Sequence, residues 1–211
     1  MKQALHPKLV KRRVVSTSEV WNVTYDWMIN AVKSCKGCID SVKKGQKDIQ
    51  VLDQTGDMAS IKVISNEYAD YLHLAKFKNQ WKIVNALWEY KNTEAKSTRT
   101  EAELLVMRYI NSWKTKDTVT MANILLPDFK GRMALSITDV EDVDYNWMVN
   151  NMKNFEDSKI YESIATTIDV LDTRSNMASI KLSHDKYVEY LHLSYISNQW
   201  YIVNSLRNYR H

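Results

Sequence analysis

The amino-acid sequence predicts an α+β protein made of two tandem copies of one domain, and three observations carry that prediction. The stretch DYLHLAKFKNQWKIVN at 70–85 returns as EYLHLSYISNQWYIVN at 189–204. Each copy opens on helical periodicity and closes on strands that alternate with period 2. The length of 211 residues suffices for two domains of roughly 100 residues, each able to bury a core.

The repeat runs through most of the chain. VTYDWMINAVK (23–33) matches VDYNWMVNNMK (143–153), and DIQVLDQTGDMASIKV (48–63) matches TIDVLDTRSNMASIKL (167–182). Met1, Leu5, Pro7 and Arg12 correspond to Met121, Leu125, Pro127 and Arg132. The period of about 120 residues is far above that of a solenoid unit, so each copy is a domain. The expected division is 1–91, a polar linker at 92–100, and 101–211.

Taken in order, the elements follow from local pattern. Thr100 with Glu103 reads as a capping box opening a helix over 101–115, on which Leu105, Val106, Tyr109, Ile110 and Trp113 share one face. A short helix near 118–126, a short extended piece and a helix around 143–154 follow. The first copy begins already in the second of these helices and lacks the leading one. Its uncovered groove is then a weak point. Four antiparallel strands are expected near 48–54, 58–65, 68–77 and 80–90, the last two joined by a hairpin about Lys78 and Asn79. With 4 glycines and 2 prolines in the chain, the turns must lean on Asn, Asp and Ser. Helices first and a strand meander afterwards place helices on one face of a curved sheet. The other face carries Tyr71, His73 and Ala75, which is neither plainly polar nor plainly apolar. It is expected to meet its counterpart from the other copy, giving a pseudo-twofold dimer within one chain.

Composition narrows the function classes. A chain 45% hydrophobic and 26% charged, with net charge +4, is an ordinary folded protein. The basic clusters Lys8, Lys11, Arg12, Arg13 and Lys43, Lys44, Lys47 read as solvated surface; no nucleic-acid-binding signature accompanies them. No run reaches the ~18 apolar residues of a membrane span, and MKQALHPKLVKRRVV has no apolar signal core. The cytoplasm is the expected compartment, with no membrane partner. Cys35 and Cys38 in SCKGC read as two reduced loop thiols, since a zinc site needs two further ligands and a redox pair a βαβ context. Without metal-ligand spacing, a phosphate-cradling glycine loop or a nucleophile elbow, no cofactor is expected.

D-x-x-x-M-A-S-I-K, then Y-L-H-L, then N-Q-W-x-I-V-N resembles the lumazine-binding branch of the nuclear-transport-factor-like, or SnoaL-like, superfamily. The resemblance covers 100–211 and, apart from the leading helix, 1–91. It implies a conical α+β barrel closing around a pocket, here as two tandem cone-shaped domains, and commonly dimerisation through the sheet. It does not imply a reaction, because the superfamily holds isomerases, dehydratases, cyclases and binding modules.

The candidate residues carry two readings each. His73 and His192 are either acid–base groups in a pocket or hydrogen-bonded packing between the domains. With a two-residue turn at Lys78 and Asn79, His73 and Asn85 are expected on opposite faces. Asn85 and Asn204, in apolar strands, need partners, from a ligand or from backbone. Trp200 and Tyr190, with Tyr145 and Trp147 in the second copy and Tyr25 and Trp27 in the first, either wall a flat ligand or form core. Asp26, which becomes Asn146 in the second copy, either pairs with His73, if the protein is an enzyme, or is an exposed first-turn residue that favours the helix N-terminus. Trp88 against Arg207 is a second asymmetry. The reading this supports is a protein binding a small, heteroaromatic or polyketide-like molecule in the second domain, as a monomer with an internal pseudo-dimer or as a homodimer. A cofactor-free isomerase or dehydratase, or a structural interaction module, are its alternatives.

Overall fold

The computed structural model describes residues 2–34, 47–94, 98–134, 139–152 and 166–209. Cys35, Cys38 and the basic cluster at Lys43, Lys44 lie outside them. The first copy comprises β1 (Leu5–Val14), β2 (Val20–Thr24), α1 (Tyr25–Ser34), β3 (Asp48–Thr55), β4 (Met58–Ile64), β5 (Tyr68–Phe77) and β6 (Gln80–Tyr90). The second comprises α2 (Arg99–Thr115), α3 (Thr118–Ile124), β7 (Leu125–Met133), β8 (Glu141–Asp144), α4 (Tyr145–Asn151), β9 (Thr167–Arg174), β10 (Met177–Ser183), β11 (Tyr187–Ile196) and β12 (Gln199–Tyr209). The class is α+β, with two sheets of matching order, β2-β1-β6-β5-β4-β3 and β8-β7-β12-β11-β10-β9. The meander strands pair antiparallel, whereas β1 runs parallel to β6 and β7 parallel to β12.

The four expected meander strands form where the period-2 pattern places them. The Lys78 and Asn79 turn is made by two residues with positive φ, 47° and 64°, as is the turn at Ser197 and Asn198, 51° and 62°. Their left-handed geometry matches the twist of the strands they join. The leading helix starts earlier than expected. Its capping box is Thr98 with Glu101, not Thr100 with Glu103: Thr98 is extended, its hydroxyl accepts from the Glu101 backbone N–H, and Glu101 reaches back to Thr98 N at 2.8 Å. T-x-x-E occurs at both registers in STRTEAE. The earlier one brings Ala102 into the buried stripe.

Two further expectations need correction. Residues 2–4, expected to be helical, are a turn. The piece expected to be short and extended is a long strand in each copy, and its basic residues are not all solvated: Arg12 is 1% exposed. Alternation in KLVKRRVV was masked by charge, because a buried arginine reads as a surface one until its partners are known.

In the second copy, α2 lays Leu105, Val106, Tyr109, Ile110 and Trp113 over the outer face of the sheet, burying Ile180, Leu182, Leu191, Leu193 and Ile202. The equivalent residues Ile61, Val63, Leu72, Leu74 and Ile83 are only half-buried, and Ile49 and Val51 stand 65% and 60% exposed. Apolar area left in water contributes nothing at ~25 cal/mol per Å². Amides of β4 and β5 should therefore exchange hydrogen faster than those of β10 and β11. Equal protection of the two meanders in a hydrogen-exchange experiment would refute this.

Candidate functional site

The inner faces of the two sheets meet, and the residues that both copies share line the contact. Ser60 and Ser179 hydroxyls lie 2.8 Å apart. Lys62 pairs with Asp172 at 3.0 Å and Lys181 with Asp53 at 3.0 Å, across the interface in both directions. Tyr71 OH donates to Asp172 at 2.6 Å, and Tyr190 OH donates to Asp53. Burial, reinforced by the accepting carboxylate, pushes both phenols up. Asp53 also feels burial, which would raise it, but hydrogen bonds from Tyr190, Lys181 and Thr55 outweigh this and hold it below the usual carboxylate value.

A bulge decides where the histidines and asparagines point. Leu74 pairs with Ile83 but His73 with Asn85, so Val84 is an extra residue in β6. The same happens at Val203 in β12. The extra residue cancels the parity of the two-residue turn, so His73 and Asn85 share one face instead of opposing each other. The two imidazoles stack with centroids 3.4 Å apart and planes at 26°. Asn85 Nδ2 reaches His73 Nδ1 at 3.3 Å, and Asn204 Nδ2 reaches His192 Nδ1 at 3.4 Å. Both Nε2 atoms are buried without a partner. Burial, with His192 and Arg132 nearby, pushes His73 well below its ordinary value, and burial alone takes His192 down to about 3. Both rings are held neutral.

The asparagines are satisfied from across the interface. Asn85 Nδ2 donates to the Ser205 carbonyl at 2.9 Å, while Arg132 donates to Asn85 Oδ1 and to the Lys8 carbonyl. Arg12 donates to Asn204 Oδ1 at 3.3 Å, to the Val203 carbonyl at 3.1 Å, and pairs with Asp128. Burial lowers both guanidinium pKa values, though Asp128 and Asp142 oppose this. The repeat itself was the signal for this cross-tie, since Arg12 and Arg132 are among the few positions the opening segments share.

The other candidates are dispersed. Asp26 is exposed in the first turn of α1, on the outer side of the first sheet, while His73 is fully buried on the inner side, so the sheet stands between them. Trp27 is 62% exposed. Tyr25 packs with Met28, Leu72 and Ile83. Tyr145 and Trp147 pack against the core under α2, and Trp200 is buried in it, edge-on to Tyr195 at 5.5 Å. Tyr190, His192 and Asn204 lie on the opposite face of the same sheet. Arg207 pairs with the buried Glu189 at 2.9 Å and lies over Tyr187 at 4.5 Å.

A cleft that no candidate residue lines, except Trp88 of the asymmetric pair, opens at one end of the interface. It holds about 370 Å³ between the ends of β1 and β6 and the two hairpin tips of the second sheet. Arg13, Trp88, Glu89, Asn176, Ser194 and Tyr195 line it. Glu89 is 6% exposed; its Oε2 accepts from the Asn176 backbone N–H at 3.4 Å, while its Oε1 and Asn176 Oδ1 are buried and unpartnered. Burial pushes the Glu89 carboxyl up to about 7, against the opposing pull of Ser175, Asn176, Arg174 and Arg13. Arg13 stacks over Trp88 and Tyr90, at 5.7 and 4.5 Å. Glu89 becomes Asn208 in the second copy, a difference visible in the sequence but without meaning until the hairpin tips close over it.

Two sheets of matching strand order, each backed by helices on one face and joined through the other, define a tandem α+β protein. Residues 1–89 match the family described as "Putative lumazine-binding". The second copy repeats the motifs found in that matched stretch. Among solved structures, the chain is similar to an NTF-2-like protein of unknown function from Silicibacter pomeroyi, 13% identical over 53% of this chain and 94% of that one, with a TM-score of 0.46. It is also similar to an NTF2-like protein of unknown function from Shewanella baltica (9% identical, 55% and 99% covered, TM-score 0.42) and to an NTF2-like protein from Cytophaga hutchinsonii (7%, 54% and 100%, 0.43). No curated protein matches the chain. Among the described residues, no helix is long and apolar enough to cross a membrane, and no cluster of His, Cys, Asp or Glu could hold a metal ion.

Proposed function

We propose that the protein is a small-molecule-binding module and that its ligand enters the interdomain cleft. One observation supports the reading: Glu89 and Asn176, each with a buried side-chain oxygen that has no hydrogen-bond partner, line a cavity of ligand size. An unmade buried hydrogen bond costs ~1 to 3 kcal/mol. A bound molecule with donors would satisfy both. The aromatic walls and the cavity volume fit a small ring system, and the family description of the first copy supports a small-molecule ligand.

The isomerase or dehydratase reading needs an acid–base pair in one cavity, and Asp26 and His73 do not supply it. The same polar layer supports a rigid pseudo-dimer in which the histidines are packing. A mass spectrum of the purified protein under native and then denaturing conditions tests the binding reading. The expected result is a small additional mass in the native spectrum, lost on denaturation and weakened by Trp88→Ala. A ligand-bearing protein whose occupancy is untouched by that substitution would move the site elsewhere.

A further inference from the structure

We infer that the outer face of the first sheet is a docking surface for an amphipathic helix of another protein, one with the apolar stripe of α2 and with acidic residues where α2 carries Arg108 and Lys114. The chain itself supplies the template for this contact. In the second copy α2 covers Ile180, Leu182, Leu191, Leu193 and Ile202. Their counterparts Ile61, Val63, Leu72, Leu74 and Ile83 keep the same side chain at every position but Val63. Among the described residues, the first copy's helix is α1, which packs on β1 and β2. It leaves Ile61, Val63 and Leu74 half-buried and Ile49 and Val51 largely in water. A face patterned for a helix gains that apolar burial when one docks.

The rim of the face specifies the charge of the helix. In the second copy Arg108 shares a groove with Tyr195 and Lys114 shares one with Thr166, while Met133 packs against the cluster that holds Trp113. The counterparts of Tyr195, Thr166 and Met133 are the cations Lys76, Lys47 and Arg13. Other neighbours of α2 in those grooves, Ile168, Asn198, Gln199 and Trp200, are unchanged as Ile49, Asn79, Gln80 and Trp81. The first copy thus keeps the helix-binding surface and changes its sign. A helix with the charges of α2 would set Arg108 against Lys76 and Lys114 against Lys47, which argues against α2 of a second copy as the occupant. Glutamates at those two places would pair with both lysines. Arg13 lies over Trp88, the counterpart of the Arg207 that meets Trp113 in the last turn of α2, so it stands where the C-terminal carbonyls of a docked helix favour a cation.

The test uses the full chain and labelled peptides spanning residues 98–116: the native sequence, an acidic form with Arg108→Glu and Lys114→Glu, and that acidic form with Leu105→Asp and Ile110→Asp added. Fluorescence anisotropy reads the affinity, and hydrogen exchange locates the contact. The acidic peptide should bind about tenfold more tightly than the native one at about 50 mM salt, with the difference shrinking at about 500 mM. It should slow exchange in β4 and β5 and leave β10 and β11 unchanged. The peptide with the broken apolar stripe should not bind. In the protein, Val51→Asp, at a residue 60% exposed and so outside the core, should weaken the acidic peptide about tenfold, and Lys76→Glu should remove the gain that glutamate at 108 brings. An acidic peptide that fails to bind, binds no more tightly than the native one, or protects strands other than those of the first sheet overturns the inference. So does a chain that sediments as a dimer with β4 and β5 already protected, since a second copy would then cover the face.

Discussion

Replacing Arg207 by methionine should lower the unfolding free energy by about 3 to 5 kcal/mol. The guanidinium is 6% exposed and its partner Glu189 is 2% exposed. The bond between them is 2.9 Å, and Tyr109 OH approaches both Glu189 oxygens at 3.3 and 3.4 Å. Methionine refills the volume over Tyr187, so the loss measures an uncompensated buried carboxylate and not a cavity. Removing both charges, with Arg207→Met and Glu189→Leu together, should recover most of the loss, because neither desolvation penalty then remains. Denaturant titration of the single and double variants checks this; a single variant within 1 kcal/mol of the parent would show that water reaches Glu189.

Acid should destabilise the interface through its histidines. A ring whose folded pKa is depressed contributes its full stability above the unfolded value of 6.5, and that contribution is lost as pH falls below it toward the folded value. For His192, held at about 3 by burial, the loss by pH 4 comes to about 3 kcal/mol, with the stacked His73 adding to it in the same direction. Glu89 acts oppositely: its carboxyl, raised to about 7, destabilises the native state above that pH, and this cost disappears as pH falls from 7 to 4.5. The two effects overlap, so the parent alone is a poor reporter. The difference between the parent and His192→Gln isolates the ring, since glutamine keeps an acceptor for Asn204 and does not titrate. That difference should shrink by about 3 kcal/mol between pH 7 and pH 4. A difference constant with pH would mean that His192 is hydrated, or charged, in the folded protein.

The fold was legible because it is written in patterns that backbone geometry enforces: alternation in MASIKV, the apolar stripe from Leu105 to Trp113, and above all the repeat. The sheet-to-sheet contact was legible from Tyr71 and His73, whose face was too apolar to be wet and too polar to lie under helices. What escaped was parity and partnership. A bulge at Val84 leaves no mark in composition, yet it turns Asn85 from the side opposite His73 to the same side. Arg12 looked like one more surface cation beside Lys11 and Arg13, because what buries it comes from a segment more than a hundred residues away. The cleft was hidden for the same reason: Glu89 and Asn176 become neighbours only when two hairpin tips of one copy reach the strand ends of the other.

The cross-tie is doubled in the chain, whereas the lining of the cleft at Glu89 is not. A homodimer of identical cones would carry every substitution twice and so present two equal clefts, related by its axis, or none. Joining the copies in one polypeptide removes that constraint: Glu89 exists without a second Glu at position 208, and Trp88 without a second Trp at 207. One half of the molecule can then hold the geometry while the other diverges.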